Sequence, residues 1–415
     1  MNRLFTFAIL ALCTLTFNSA FASNTADSNP VLYWARIEAK TSAERTKIAN
    51  MGIAIEVVNK HDVVVLATAE ELASLKKTHK VPVSFLLRSL DFPVKDEKFH
   101  NYAELTEALK KLSREHSDIV TLGSIGKSHE GRDIHLLTIG ANQKDKGVGA
   151  IFFVGGHHAR EHISVEMPLM LAQNLAAKWA SGDARIQELL KNRTIHIVPL
   201  LNPDGAEYDI ETGTYRSWRK NRRVNGDGTM GVDLNRNYDH QWGTVGASGN
   251  PRSDTYYGKA PFSEPETAAV RDFLKAQPNV TIVHSYHTFS ELILYPWGYT
   301  NDKVTNAKDY QIHRTMAETM AKWNNYTVQQ SSELYLTSGD TCDWAYGVMN
   351  FVCFTTELDP KSLWDGGFYP GQDRIDIVFK KNWEPALYMI EMANNPAQVL
   401  EPASKRYGLS EGFLN

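Results

Sequence analysis

Cysteine is scarce, with three residues in a chain of 415, too few to staple a small scaffold together. Long apolar runs are scarce as well. The run from Leu4 to Phe17 falls short of the roughly 20 residues that cross a bilayer, and no later stretch is long and apolar enough, so no membrane span is expected. Neither sign of charge dominates. Lys and Arg number 44 against 48 Asp and Glu, a net charge of −4, which leaves no basic field to draw the chain onto nucleic acid. What is present is 42% hydrophobic and 22% charged, enough apolar material for packed cores and unlike a disordered or collagen-like chain. At about 100–200 residues per domain, the length allows two or three domains.

The first 22 residues read as an address. Asn2 and Arg3, the apolar run and then Ala20-Phe21-Ala22 ahead of Ser23 follow the order of a secretory signal peptide cut after Ala22. A secreted or periplasmic protein is expected. Removal of the signal takes Cys13 with it and leaves Cys342 and Cys353, which either pair in an oxidising compartment or stay as buried thiols. Residues 23–98 read as a propeptide-like α/β unit with a linker. Strands are expected at Val31 to Ile37, Val63 to Ala67 and Val81 to Leu87, and helices at Ser42 to Met51 and after a Thr68 cap. Arg88 to Lys98, with Pro93 and the charged run Lys95-Asp96-Glu97-Lys98, reads as the linker.

From His100 onward, helical and strand-like segments alternate, which favours an α/β sheet covered by helices. Helices are expected at Tyr102 to Glu115, Ile163 to Trp179, Glu264 to Ala276 and Thr305 to Trp323, with Ser263 and Glu266 as a capping box for the third. Three of the strands end in chemical groups. Ala150 to Val154 is continuously apolar, so it reads as a strand buried on both faces. Gly155-Gly156 turns the chain into His157-His158-Ala159-Arg160-Glu161, where His158 and Glu161, three apart, can face one ion. Val280 to Val283 leads to His284 and His287, which have opposite parity in a strand, so at most one faces the site. Phe351 to Thr356 delivers Glu357. Open α/β sheets carry their sites at the carboxyl ends of strands, and two histidines with a glutamate form the ligand set of a hydrolytic zinc site. Glu357 is then a candidate general base. Metal-assisted hydrolysis is the chemistry these groups suggest.

Together these residues resemble the zinc metallocarboxypeptidases of the pancreatic A and B type, and secreted bacterial carboxypeptidase T in style. The resemblance runs from about Phe99 to Ala393 and implies a catalytic domain over 99–395, with a mixed, mostly parallel central sheet and helices on both faces. Residues 396–415 are left as a tail. His158-Ala159-Arg160-Glu161 matches the family's H-A-R-E, and the run from His287 to Pro296 matches the segment that opens on its third zinc ligand. The resemblance therefore implies one Zn2+ held by His158, Glu161 and His287, with Glu357 catalytic and His157 and His284 outside the ligand set. Trp218-Arg219-Lys220 resembles the W-R-K whose arginine stabilises the oxyanion. Gly231 to Asn237 resembles G-V-D-x-N-R-N, where Asn235 and Arg236 hold the substrate's carboxylate and Asp233 orients His158. Tyr335 corresponds to the substrate-capping tyrosine, and Arg160 to a substrate-binding position. A calcium site is allowed by analogy, without assignable ligands.

Specificity is where the pattern departs. Cys342 takes the pocket-floor position, aliphatic in A-type enzymes and acidic in B-type ones. A small neutral thiol there predicts release of apolar or aromatic C-terminal residues. Asp340 stands where the pancreatic enzymes have glycine, which adds secondary release of Arg or Lys; the same residue also reads as a turn former after Gly339. Substrates are expected to be peptides or proteins with a free C-terminal carboxylate, and the protein a monomer. A relative acting on cell-wall peptides is the rival enzyme reading.

Overall fold

The computed structural model describes residues 32–49, 51, 53–58, 61–81, 83–86 and 92–401. The signal segment, the first part of the expected linker and the tail beyond Glu401 lie outside the described residues. The chain divides into two compact units, Met1–Arg88 and Ser89–Asn415.

The leading unit runs β1 (Leu32–Glu38), α1 (Ser42–Ala49), β2 (Ala54–Val58), β3 (Asp62–Thr68), α2 (Ala69–Thr78) and β4 (Val83–Leu86). Its strands form an antiparallel sheet in the order β2-β3-β1-β4. Alternate residues Val63, Val65 and Ala67 of β3 meet Ala35 and Ile37 of β1 and Leu72 and Leu75 of α2 in one small core. Thr68 caps α2 by accepting from the Glu71 N–H, while the Glu71 carboxylate accepts from the Thr68 N–H. The sequence reading missed β2. It is five residues long and bulged between Ile55 and Val57, so its alternation is broken.

The larger unit contains α3 (Tyr102–Glu115), β5 (Val120–Lys127), β6 (Asp133–Ile139), β7 (Ala150–Val154), α4 (Ile163–Ala180), α5 (Ala184–Asn192), β8 (Thr194–Val198) and α6 (Pro203–Ile210). It continues with α7 (Pro265–Lys275), β9 (Val280–Thr288), β10 (Leu292–Tyr295), α8 (Ala307–Asn324), β11 (Thr327–Gln330), α9 (Ser331–Leu334), α10 (Thr341–Gly347), β12 (Val352–Leu358) and α11 (Arg374–Met392). The sheet order is β11-β10-β12-β9-β7-β8-β6-β5. β7 is parallel to β8 and β9, β9 to β12, and β10 to β11; the other three pairs are antiparallel. Ile151 and Phe153 of β7 face the core that holds α3, α4, α5, α8 and α11, whereas Phe152 and Val154 face the one that holds α7 and α10. Helices thus cover both faces, as the expected fold class requires.

Two local readings need correction. α7 has no Ser263–Glu266 capping box: its cap position is Glu264, with Pro265 first in the helix and no side-chain cap bond. The carboxylates of Glu264 and Glu266 are drawn away to His129, Asn221 and Arg223. The second half of the expected linker is anchored by buried residues, with Lys95, Glu97 and Lys98 exposed. Phe92 and Phe99 are buried in the large core, stacked at 5.3 Å, with Phe92 edge-on to His162 at 4.7 Å. Asp96, only 1% exposed, accepts from Tyr215 Oη at 2.7 Å and from the Gln372 N–H at 3.1 Å. Residues from Phe92 therefore belong to the larger unit. The first turn of the tail, Pro396–Leu400, likewise buries Val399 in that core.

If Phe92 is a core residue, Phe92→Ala costs the larger unit about 3–5 kcal/mol in urea unfolding of the signal-free chain. A loss below about 0.5 kcal/mol, the scale of surface substitutions, would restore the linker reading.

Candidate active site

Parallel pairing brings the three chemistry-bearing strands to one edge. β9 lies between β7 and β12, and the β9–β12 register sets His287 opposite Glu357. Parity divides β9: Ile282 and Tyr286 face one core and Val283 the other. His284 lies with Phe153 and Tyr286, 5.8 and 4.4 Å between ring centroids. Burial lowers its pKa to about 3, and it does not join the site. At the end of β7, a Cβ on Gly155 would lie 2.0 Å from the Ser164 carbonyl oxygen, and Gly156 has φ +63°. This tight turn throws His158 and Glu161 across the strand ends, ahead of α4 and not on the helix itself.

His158 Nδ1 lies 2.7 Å from Glu161 Oε1, His287 Nδ1 lies 3.0 Å from Glu161 Oε2, and the two Nδ1 atoms are 3.2 Å apart. All three side chains are buried. Tetrahedral donors around zinc at about 2.0–2.1 Å stand about 3.3 Å from one another, so this convergence of two imidazole nitrogens and a carboxylate fits a zinc ion. His157 does something else. Its Nε2 is 3.0 Å from both Tyr238 Oη and Thr341 Oγ1, and burial depresses its pKa, so it is a neutral packing hub. A second grouping, His129, Glu264 and Glu266, has ligand-type atoms within 4.8 Å. There the Glu264 carboxylate is occupied by Arg223, Ser263 and Asn221. Among the described residues both groupings contain histidine, and neither is the all-oxygen cage that calcium prefers.

Asp233 ties the site together. Its Oδ1 is 3.1 Å from His158 Nε2 and accepts the Asn235 N–H at 3.0 Å, while Oδ2 accepts from Arg219 Nε at 3.0 Å. Burial would raise this carboxyl, but Arg219 and His158 outweigh it and hold the pKa far below the ordinary value. Arg219 is thereby locked, with Nη1 3.3 Å from His158 Nδ1. Burial pushes Glu357, at the end of β12, up to about 7.

On the flank formed by the Asp233–Asn237 turn and α10, Asn235 Oδ1 accepts from Thr341 N–H and Oγ1 at 2.9 and 2.8 Å. Arg236 is 3% exposed. It donates to the Asn235 carbonyl and lies 3.5 Å from Tyr335 Oη, yet its Nε lacks a hydrogen-bond partner and it enters no ion pair among the described residues. Tyr335 is 54% exposed. Arg160, on the other flank, donates to the Ser217 carbonyl at 3.1 Å and lies 4.2 Å above the Phe368 ring.

Cys342, expected at the pocket floor, is not a free thiol. Cys342 is joined to Cys353, whose Cα lies 5.2 Å away, because the start of α10 packs against β12. The disulfide, like the expected thiol, is uncharged. Asp340 is both a turn former and a buried acid: Oδ1 accepts from the Cys342 and Asp343 N–H groups and caps α10, while Oδ2 is buried with no hydrogen-bond donor among the described residues and the Asp343 carboxyl interacts with Asp340. Burial raises its pKa. The sequence reading placed Thr341 and Asp343 in the loop resembling the family's specificity-pocket lining but gave them no role of their own: Thr341 links His157 to Asn235, and Asp343 accepts from the Gly298 and Tyr299 N–H groups. No local spacing marks either role.

Residues 105–385 match the sequence model of a family described as zinc carboxypeptidase. A zinc carboxypeptidase of Saccharothrix mutabilis subsp. capreolus is 35% identical over 70% of this chain and 69% of its own. Carboxypeptidase B of Astacus astacus is 34% identical over 60% and 82%. Bovine thrombin-activatable fibrinolysis inhibitor, solved in complex with tick carboxypeptidase inhibitor, superposes with a TM-score of 0.63 at 28% identity, covering 71% of this chain and 97% of that one. Carboxypeptidase A of Helicoverpa armigera gives 0.64 at 25% identity, over 88% and 97%, a span longer than the larger unit alone. With the triad, the shared fold and a family match over more than half its length, the chain belongs to the zinc carboxypeptidase family and is a metallopeptidase.

Proposed function

We propose that this enzyme is exported and removes single residues from the carboxyl end of peptides, preferring apolar or aromatic residues and releasing Arg or Lys more slowly. The observation that carries the exopeptidase reading is Arg236, a buried guanidinium whose Nε has no hydrogen-bond partner and which forms no ion pair among the described residues. A buried charge without a partner is costly, and a substrate carboxylate gripped by the planar fork would compensate it. Asn235 and Tyr335 border the same position.

His158, Glu161 and His287 are proposed to hold one Zn2+, which would polarise the scissile carbonyl and lower the pKa of a coordinated water toward about 7. Glu357, with its pKa near the operating range, accepts a proton from the attacking water and returns it to the departing amine. Arg219 points Nη1 at the metal-ligand cluster from a position fixed by Asp233, where it donates to the oxyanion. Export is supported by the A-x-A signal pattern and by the Cys342–Cys353 disulfide, which persists in oxidising compartments. The compact leading unit supports assignment as a propeptide.

Specificity follows from the pocket. The disulfide gives an apolar floor, and Asp340, whose Oδ2 meets no hydrogen-bond donor among the described residues, offers one charge to a basic side chain. Asp340→Asn keeps the cap on α10 but removes that charge. The Arg-to-Phe ratio of kcat/KM is expected to fall about 10- to 100-fold, the worth of a hydrogen bond to a charged group. In the unchanged enzyme the same ratio should rise with pH, because a carboxyl raised by burial is neutral at low pH and gains its charge as pH increases. An unchanged ratio in the variant would remove Asp340 from specificity.

Glu357→Gln should lower kcat by about 10²–10⁴ while zinc content, read by atomic absorption, stays at one per chain. Arg236→Lys should lower kcat/KM by about 10- to 100-fold, chiefly through KM, as a point charge replaces the fork. A strong chelator should abolish turnover and added zinc should restore it. Activity indifferent to the chelator would contradict the metal reading.

A further inference from the structure

The loop after β12 is held at both ends. Near its start, Asp359 is fully buried and accepts from Lys381 Nζ at 2.6 Å and from Tyr326 Oη. Near its end, Tyr369 stacks on Tyr215 at 3.8 Å and donates to Asp209 at 3.0 Å. Between these anchors the chain makes a compact turn. Ser362 Oγ donates to Asp365 Oδ2 at 2.5 Å, the Gly366 N–H to the Leu363 carbonyl at 3.2 Å and the Gly367 N–H to the Ser362 carbonyl at 3.3 Å. Gly366 and Gly367 supply the positive φ values, +116° and +56°.

This pinned turn holds two adjacent apolar side chains out of the fold, Leu363 at 66% and Trp364 at 96% exposure. Single exposed apolar residues are common; a consecutive Leu-Trp pair on a turn that is structured by its own hydrogen bonds is a presented surface. The patch continues to Phe289 and Phe368. A Cβ on Gly367 would sit 2.7 Å from Leu363 Cδ1 and 3.5 Å from Phe289 Cε1, so these two side chains close on the same glycine. Phe289 lies 4.9 Å from Phe368, whose ring carries the Arg160 guanidinium at 4.2 Å. Arg160 stands between the metal ligands His158 and Glu161. An apolar strip thus leads outward from the triad on the flank built by the loops after β9 and β12, while Asn235 and Arg236 occupy the flank built with α10.

Resting on the carboxypeptidase reading, we propose that Leu363 and Trp364 form a remote substrate platform that binds apolar or aromatic residues of the peptide several positions before the scissile bond. The occupant is the substrate's own upstream chain, because a peptide anchored by its carboxylate on the Arg236 flank and passing the triad leaves along this strip. The platform makes the enzyme selective for sequence that it does not cut, and it acts only on substrates long enough to reach it.

The test compares a blocked dipeptide with two octapeptides that share its C-terminal pair, one with Leu and Phe upstream and one with Ser and Gly there. The active enzyme is expected to favour the apolar octapeptide over the polar one by about fivefold or more in kcat/KM, through KM. The Leu363→Ser/Trp364→Ser double variant should abolish that preference while dipeptide hydrolysis stays unchanged. A preference that survives in the variant, no preference in the unchanged enzyme, or equal losses on dipeptide and octapeptides would overturn the platform. Failure of the unchanged enzyme to hydrolyse the dipeptide and both octapeptides would instead overturn the carboxypeptidase reading beneath it.

Discussion

One buried carboxylate organises the chemistry. Asp233 contacts the outer nitrogen of His158, the guanidinium of Arg219 and the backbone of the turn that carries Asn235 and Arg236. The proposed metal ligand, oxyanion donor and substrate anchor come from separate stretches of chain, and this fully buried group contacts all three. An isolated carboxylate at such depth would be protonated or destabilising. Here the positive charge of Arg219 and the His158 hydrogen bond keep it ionised, so the cost of burying it is offset by the partners that it positions.

The charges left over are the ones that substrate and metal would answer. Arg219 is ion-paired with Asp233, whereas Arg236 forms no ion pair among the described residues. Glu357 stands opposite His287 with a raised pKa, and the two Nδ1 atoms of His158 and His287 face each other across Glu161. In a satisfied core, such groups would be paired. They concentrate at the carboxyl end of three adjacent parallel strands, where the reactive centre is proposed, whereas in the His129–Glu264–Glu266 cluster the Glu264 carboxylate is bonded to Asn221 and Arg223.

Much of this arrangement was legible before any coordinates. Continuous apolar runs made β7, β9 and β12 visible, since a strand buried on both faces needs them, and glycines or histidines marked where each run ended. Local spacing could not choose between His284 and His287; that choice required resemblance, and in the fold it follows from parity. What stayed hidden depends on contacts distant in sequence. The segment from Phe92 to Lys98 looked like a linker because its charges are visible in the sequence, whereas Tyr215, His162 and Gln372, which bury it, are not adjacent. The Ser263–Glu266 cap failed for the same reason, because remote His129, Asn221 and Arg223 compete for the carboxylates. The pairing of Cys342 with Cys353 needed the packing of α10 on β12, and with it the residue expected at the pocket floor changed from a thiol to a disulfide.

The central claim is that a free terminal carboxylate, read by Arg236, directs hydrolysis to the last peptide bond. It is tested most directly by time-resolved mass spectrometry of one peptide in two forms, with a free C-terminal acid and with a C-terminal amide. Stepwise loss of single residues from the acid, with the amide left intact, is the predicted result. Cleavage of both forms at similar rates, or scission at internal bonds, would contradict it.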